Sequence, residues 1–374
     1  MKIMSLFANI GVAEAYLSDL NFDVVIANEI IKRRAELYKK IYPNVKMIDG
    51  DITDPSIFKL LVDQGLKNQI DIIMATPPCQ GMSTAGHQLE NDERNKLIIP
   101  VIQLINILKP KYVFLENVPN FANTQILYNS SKIKIFDLIY NELKKSYFIR
   151  KEIINTKDYE VPQNRERTII LMTRKDQQKL WILPEKSTKN ITMRDAIGDI
   201  PDIDPYIKDV SEEELLQIFP DFYIKKERAL KISRWNNPPH HIKRQVIAML
   251  HTPTGCTAFD NTQYYPIKAD GKPVRGYHNT YKRQNWDTPA YTITMDNRKI
   301  SSQNNVHPGR MYKSKNGEVL YSDARVLTLY EIMLIMTLPS DWPIPKNTSE
   351  AFLRRVIGEG IPPLFVKKVF ENLR

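Results

Sequence analysis

Asp71-Ile72-Ile73-Met74-Ala75-Thr76-Pro77-Pro78-Cys79-Gln80-Gly81 is the stretch that decides the fold. Its first five residues form a short apolar run, which is typical of a buried strand in a parallel sheet. Two prolines then stiffen a turn that carries Cys79, one of the two cysteines in the chain. Ligands of open α/β sheets bind outside the carboxyl ends of such strands, so this thiol is placed to attack a bound molecule. A free cysteine is also often just a small buried side chain, and the neighbouring segments must decide between the two interpretations.

Short apolar runs of the same kind alternate with amphipathic helices over residues 1–175. This alternation predicts an α/β fold, Rossmann-like, with a mostly parallel sheet and helices on both of its faces. A helix is predicted from Arg94 to Leu108, where apolar residues recur at helical spacing. The predicted strands are residues 2–7, 23–28, 45–48, 71–75, 112–116, 148–154 and 167–173.

After Arg174 the alternation fades into a segment rich in proline, histidine and basic residues. We therefore expect a first domain over residues 1–185 and a second, irregular and mainly β domain over residues 186–344. Residues 345–374 are predicted to be helical, with an interruption at Gly358-Glu359-Gly360-Ile361-Pro362-Pro363, because proline cannot continue a helix.

The composition favours an anionic partner, because the 374 residues carry a formal net charge of +10. The two cysteines are far apart and no Cys/His cluster is present, so neither a disulfide framework nor a metal site is predicted. The chain shows no signal-peptide core and no apolar run of membrane-spanning length. We expect a protein of the prokaryotic cytoplasm, associated with the nucleoid while it acts on DNA, and no membrane partner.

Three other segments repeat the arrangement of strand and polar tip. They are Phe7-Ala8-Asn9-Ile10-Gly11, Val113-Phe114-Leu115-Glu116-Asn117-Val118 and Gln163-Asn164-Arg165-Glu166-Arg167. Together with Pro-Cys-Gln at residues 78–80, their order and spacing resemble the DNA (cytosine-5) methyltransferase family, of the prokaryotic or phage restriction-modification type. The resemblance covers both ends of the chain and leaves a variable middle, as that family does.

The resemblance implies a covalent mechanism on a flipped cytosine. C5 of cytosine is a poor nucleophile, and a thiolate that adds to C6 makes it reactive. Cys79 would make this addition, while Glu116 would bind N3 and the exocyclic amine. Arg165 and Arg167 would meet phosphate or O2 of the base, the second role belonging better to Arg167.

The cofactor that the resemblance implies is S-adenosylmethionine. Phe7 would pack on its adenine, Glu29 would hold the ribose and Asp51 the adenine amino group. The other expected cofactor contacts are Ala8, Asn9, Gly11, Ile52, Pro78, Glu359 and Gly360. The chain departs from the family pattern at Asn9 and Val12, which replace glycines, and at Glu359-Gly360, which replaces Asn-Ser.

The implied partner is double-stranded DNA, bound by a monomer. Basic and aromatic residues interleave in the middle of the chain, as they do on nucleic-acid surfaces. The predicted DNA contacts are Gln80, Ser83, Arg94, Lys225, Lys226, Arg234, Lys243, Arg244, Arg275 and Arg283. Arg325 and Glu331 are predicted to be structural. The sequence does not decide whether a cognate restriction endonuclease, acting separately, exists.

Three other classes of protein share part of this pattern. An amino-methylating enzyme would carry a polar residue, two prolines and an aromatic residue at the strand tip. Here Cys79 follows the two prolines, which argues against such an enzyme. A tRNA cytosine-5 methyltransferase shares the same catalytic residues and differs mainly in a more compact recognition segment. A DNA-binding relative with impaired catalysis is suggested by Asn9, Val12 and Glu359. The intact Cys79, Glu116 and Arg167 argue against it.

Overall fold

The computed structural model describes residues 1–78 and 93–374. Cys79, Gln80 and Ser83 lie outside these residues, so what was predicted for them rests on the sequence. The strands of the first half of the chain are Lys2–Leu6 (β1), Asp23–Glu29 (β2), Lys46–Asp49 (β3), Ile72–Ala75 (β4), Tyr112–Asn117 (β5), Gln125–Tyr128 (β6), Ser131–Lys134 (β7), Tyr147–Asn155 (β8) and Glu166–Arg174 (β9).

The largest sheet within the described residues has seven strands in the order β3-β2-β1-β4-β5-β9-β8. Neighbours from β3 to β5 are parallel, while β9 runs antiparallel to both β5 and β8. Each of these strands was predicted to within one residue at either end. The chain crosses to opposite sides after β1 and β4, and the carboxyl ends of these two neighbours therefore border the crevice where ligands of such sheets bind.

The helices are Lys32–Ile41 (α1), Pro55–Asn68 (α2), Ile98–Leu108 (α3), Ile135–Leu143 (α4), Met193–Ile197 (α5), Glu212–Ile218 (α6), Phe222–Ile232 (α7), Lys243–Leu250 (α8), Leu329–Ile335 (α9), Glu350–Glu359 (α10) and Pro363–Glu371 (α11). The helix predicted from Arg94 begins as a 3₁₀ turn over Glu93–Leu97 and continues as α3. The predicted interruption at residues 358–363 separates α10 from α11.

Alternate residues of the central strands point to opposite faces of the sheet, as a strand requires. On β5, Val113 and Leu115 pack in one core with α3 and α4. Tyr112 and Phe114 pack in another with Trp181 and α11. The C-terminal helix therefore returns to the sheet and covers its second face.

Residues 186–344 are irregular and contain short ladders, of Tyr206–Ile207 (β10) with His240–His241 (β11) and of Met311–Lys313 (β12) with Val319–Tyr321 (β13). They also contain helices α5 to α9, which the prediction of a mainly β domain did not include. One core packs Ile10 and Leu37 with Met193, Ile332 and Val356. The predicted segments thus share a core, and their boundaries at 185 and 344 stay a prediction.

Candidate active site

The ends of β5 and β9 bring two predicted site residues together. Nε of Arg167 lies 2.8 Å from Oε1 of Glu116, and the two side chains are 13% and 11% exposed. The antiparallel pairing of the two strands aligns Glu116 with Ile169, which carries Arg167 to the same edge of the sheet. A carboxylate and a guanidinium therefore stand side by side, largely shielded from water.

Asn117 ties this edge to the turn that precedes Cys79. Its side-chain Nδ2 donates to the carbonyl of Pro77 at 2.9 Å, and its Oδ1 accepts from the amide of Val118 at 2.9 Å. The hydroxyl of Thr76 donates to the carbonyl of Phe7 at 3.3 Å. The tips of β1, β4 and β5 are thus joined by direct hydrogen bonds, two residues before the predicted nucleophile.

The turn after β1 is built on left-handed backbone. Phe7 has φ 58°, Asn9 has φ 51° and Gly11 has φ 81°. Asparagine adopts this conformation more readily than most residues, which explains how Asn9 stands where the family has glycine. A Cβ on Gly11 would come within 2.1 Å of the Tyr42 ring, so that position admits glycine alone.

Glu29 ends β2 next to this turn. Its carboxylate accepts from the amide of Asn9 at 2.9 Å and from the amide of Ile31 at 2.8 Å. Burial raises the pKa of Glu29, and these hydrogen bonds and the charge of Arg34 oppose the rise. A carboxylate fixed by backbone amides beside a strand-to-helix turn is suited to ribose hydroxyls, which are donors.

Asp51 lies two residues beyond β3, where its Oδ1 accepts from the amide and hydroxyl of Thr53, both at 2.8 Å. Its proposed contact with adenine stays a prediction. Ile52 is 2% exposed and its side chain belongs to the core around Leu61, so the structure gives that side chain a packing role.

Arg165 lies one residue before β9 and is buried. It is 2% exposed, and its guanidinium donates to the carbonyls of Ile293 at 2.8 Å, Gly358 at 3.1 Å and Glu359 at 3.3 Å. Arg165 thus holds three segments that are distant in sequence against one another. Its predicted contact, with phosphate or with O2 of the base, stays a prediction.

The family model of C-5 cytosine-specific DNA methylases matches residues 1–374. The chain belongs to this family. It is 41% identical over 375 residues to the Type II methyltransferase M1.HgaI of Avibacterium volantium, covering 99% of this chain and 97% of that relative. It is 25% identical over 379 residues to M.NgoPII of Neisseria gonorrhoeae, covering 97% and 92%.

A crystal structure described as a DNA modification methyltransferase encoded within an E. coli prophage has the same fold. It aligns with a TM-score of 0.67 at 20% identity, over all of this chain and 98% of the other. Membership of the family makes the protein a DNA (cytosine-5) methyltransferase, and it favours DNA over the tRNA alternative. The family implies S-adenosylmethionine as the methyl donor.

In the middle of the chain, the structure contradicts one predicted DNA contact, that of Arg283. Arg283 is fully buried, and its guanidinium donates to the carbonyls of His307 and Met249 at 2.8 Å and to those of Asp323 and Tyr321 at 3.1 Å. Arg283 therefore stabilises the core of this region, and the prediction that it binds DNA is wrong. The signal that favoured it was a basic stretch, which does not distinguish a surface cation from a buried one.

Lys225, another predicted DNA contact, is paired within the protein. Its ammonium lies 2.7 Å from Asp202 and 3.0 Å from Asp204, and its side chain is 22% exposed. Two carboxylates thus compensate the charge of Lys225, and its contact with DNA stays a prediction. Lys243 is more exposed but pairs with Glu214 at 2.5 Å.

The other basic residues predicted to bind DNA keep surface positions. Arg234 is exposed, stacks 4.3 Å from the Trp235 ring centre and donates to the carbonyl of Ile344. The remaining members are exposed or half-buried: Arg94, Lys226, Arg244 and Arg275. Their contacts with DNA stay predictions.

The structural role predicted for Arg325 and Glu331 is confirmed. Both are fully buried, and the guanidinium donates to the two carboxylate oxygens at 2.8 Å each. Glu331 also completes a capping box with Thr328 at the start of α9.

Within residues 1–78 and 93–374, no helix has the length and apolar character needed to cross a bilayer. The same residues contain no group of three or more His, Cys, Asp or Glu placed to hold a metal ion.

Proposed function

We propose that this methylase transfers the methyl group of S-adenosylmethionine to C5 of a flipped cytosine, within one short sequence of duplex DNA. Cys79 adds to C6 of the base, which makes C5 nucleophilic, and later leaves as the C5 proton is lost. The observation that carries the proposal is the edge formed by the Glu116–Arg167 pair and by Asn117, which is bonded to Pro77 two residues before Cys79.

Glu116 and Arg167 are the residues proposed to hold the base. Glu116 binds N3 and the exocyclic amine of the base, and Arg167 donates to O2. The charge that develops on the ring during thiolate addition is then offset by donors already in place. The 2.8 Å separation of the two side chains puts both within reach of one pyrimidine edge.

The cofactor is proposed to bind between the turn after β1 and the tips of the next strands. Glu29 holds the ribose, Asp51 the adenine amino group, and Phe7 and Pro78 line the cleft. When bound, S-adenosylmethionine supplies an electrophilic methyl group. The fit rests on Glu29, whose carboxylate is fixed by the amides of Asn9 and Ile31.

The partner is double-stranded DNA, and residues 186–344 are proposed to choose the sequence. Phosphate contacts come from surface cations such as Arg234 and Arg275, with Gln80 and Ser83 added from beside Cys79. A relative of 41% identity is a Type II methyltransferase, which supports the proposal that the protein acts in a restriction-modification system of a prokaryotic cell. A cognate endonuclease would act separately, and the methylase would work as a monomer in the cytoplasm.

Trapping on modified DNA tests the covalent step. Duplex carrying 5-fluorocytosine should form a denaturation-resistant adduct in the presence of S-adenosylmethionine, because fluorine blocks loss from C5. Cys79→Ser should abolish the adduct, and Cys256→Ser should retain it. The covalent assignment is wrong if the wild type never forms the adduct or if Cys79→Ser still forms it.

Mass spectrometry of nucleosides tests the substrate. 5-Methylcytosine should appear in genomic DNA exposed to the protein and not in total tRNA; the reverse would promote the tRNA alternative. Calorimetry with S-adenosylmethionine tests the cofactor, since Glu29→Ala should weaken binding and Glu36→Ala, on the exposed side of α1, should not. Absence of binding in the wild type, even with DNA, would favour the impaired DNA-binding relative.

A further inference from the structure

An ion pair joins α1 to the end of α10. Nη2 of Arg34 lies 2.7 Å from Oε2 of Glu359, and the two side chains are only 13% and 20% exposed. Surface ion pairs contribute little because water and salt screen them, whereas a pair that is largely shielded interacts more strongly. Glu359 is also one of the residues at which this chain departs from the family pattern.

Both partners lie beside the proposed ribose anchor. Arg34 and Glu359 are each close enough to Glu29 to act on its ionisation, in opposite directions. Glu29 itself accepts from the amide of Asn9, and the Asn9 side chain donates to the carbonyl of Val356 on α10 at 3.0 Å. The Arg34–Glu359 pair therefore joins α1 to the end of α10, and α10 contacts the turn after β1.

The segment that carries Glu359 is closely packed on that turn. A Cβ on Gly360 would come within 2.9 Å of Val12, and a Cβ on Gly358 within 2.3 Å of the carbonyl oxygen of Thr294. Arg165 fixes the backbone of Gly358 and Glu359 through their carbonyls, which leaves the Glu359 side chain to contact Arg34.

Helix stability does not account for Glu359. It is the last residue of α10, and a negative side chain at the C-terminal end of a helix opposes the helix dipole. The neighbour Arg355, one turn earlier, lies 3.4 Å from Glu359 but is 54% exposed. The largely shielded interaction of Glu359 is thus the one with Arg34 on α1.

We propose that Arg34 and Glu359 are positioning residues that form a clasp across the cofactor cleft and slow the release of S-adenosylmethionine. The inference rests on the proposed function, because it takes the cleft beside Glu29 as the cofactor site. Release requires α1 and the α10 end to separate, and separation breaks the shielded pair.

The test is a double-mutant cycle of Arg34→Gln, Glu359→Gln and the combined variant. Release is measured without DNA, by chasing radiolabelled S-adenosylmethionine with unlabelled compound, and affinity is measured by calorimetry. Each single variant should release the cofactor about 5- to 30-fold faster, as expected for loss of a shielded ion pair. The combined variant should be no faster than the faster single variant, because either change alone opens the clasp.

Arg355→Gln is the matched control, because it removes a second cation near Glu359 from an exposed position. It should release the cofactor within about twofold of the wild type. If the pair were purely structural, its removal would lower the melting temperature of the cofactor-free protein and leave the release rate unchanged. If Glu359→Gln releases at the wild-type rate, or if the two single effects multiply, the clasp is wrong while the proposed function stands. If the wild type binds no S-adenosylmethionine, the proposed function and the clasp are both overturned.

Discussion

Nε of Arg167 on β9 lies 2.8 Å from Oε1 of Glu116 on β5, at the edge where the strand tips converge. Each charge is compensated by the other in a place that is largely shielded from water, and a shielded charge without a partner would be costly. The ion pair therefore holds the guanidinium of Arg167 and the carboxylate of Glu116 in fixed positions before any base is present.

Glu116→Gln should lower the methylation rate at saturating substrates by about 10²- to 10⁴-fold. Glutamine fills the same space but cannot transfer a proton toward N3, and general acid catalysis contributes on that scale. The measurement is transfer of a tritiated methyl group to genomic DNA from a host that lacks cytosine methylation.

Glu166→Gln serves as the control for Glu116. Glu166 is exposed beside Arg167, and only its backbone carbonyl accepts from that arginine. The methylation rate of Glu166→Gln should stay within about twofold of that of the wild type. A Glu116→Gln enzyme that is equally active would remove Glu116 from the mechanism.

The buried carboxyl of Glu14 should make the stability depend on pH. Burial raises the pKa of Glu14 to about 7, against the hydrogen bonds it accepts from Ser5 at 2.5 Å and from Tyr38. Between its usual value of 4.5 and about 7 the folded protein keeps a proton that the unfolded chain loses. Glu14 therefore makes its full contribution to the free energy of unfolding below about pH 4.5. That contribution, at most about 3 kcal/mol, is lost as the pH rises to about 7.

Glu14→Gln should remove this dependence, since an amide does not titrate. The melting temperature of the wild type should fall relative to that of Glu14→Gln between pH 5 and pH 8, whereas Glu36→Gln, on the exposed side of α1, should track the wild type. Parallel pH profiles for wild type and Glu14→Gln would mean that the carboxyl titrates normally.

Variants of Arg283 and Arg275 should distinguish a structural cation from a cation that contacts DNA. Arg283→Met leaves four backbone carbonyls without their donor, and we expect a loss of roughly 2–5 kcal/mol of unfolding free energy. Arg275→Gln should leave stability unchanged and reduce the slope of log affinity against log salt by about one, as loss of one phosphate contact does. Urea unfolding and DNA binding at several salt concentrations measure the two effects. Equal stability of the two variants would contradict the burial of Arg283.

The strands could be predicted because a parallel strand covered on both faces must be apolar throughout. Ile72–Ala75 is buried at every position, and it was found from its apolar run alone. The residues of the active edge could be predicted for a related reason, since Glu116, Asn117 and Arg167 sit at strand ends, where the sheet brings them together.

The basic residues of the middle could not be assigned in the same way. Arg283 and Arg275 look alike in sequence, and only the packing of distant segments shows that one is buried and the other exposed. The contact of Arg34 with Glu359 was missed because no local pattern links them. Asn9 stands where the family has glycine, and in the sequence this departure suggested impaired cofactor binding. The left-handed backbone of Asn9 explains how asparagine can occupy the position.

Asn117 should control the geometry of the turn before Cys79. It is 3% exposed, and its Nδ2 is the donor to Pro77. Without that donor the turn is held less firmly, and a misplacement of about 1 Å at a reacting group can cost 10²-fold. Asn117→Ala should therefore trap 5-fluorocytosine DNA about 10- to 100-fold more slowly, while its affinity for S-adenosylmethionine stays within about threefold of the wild type.

Two further variants separate the hydrogen bond from other effects. Asn117→Asp keeps the volume but presents a carboxylate to the Pro77 carbonyl, so it should be at least as slow as Asn117→Ala. Asn120→Ala, at an exposed position three residues later, should trap at the wild-type rate. If Asn117→Asp traps as fast as the wild type, the hydrogen bond to Pro77 does not position the nucleophile; if Asn117→Ala loses cofactor affinity as well, the residue supports the whole crevice and not the Cys79 turn alone.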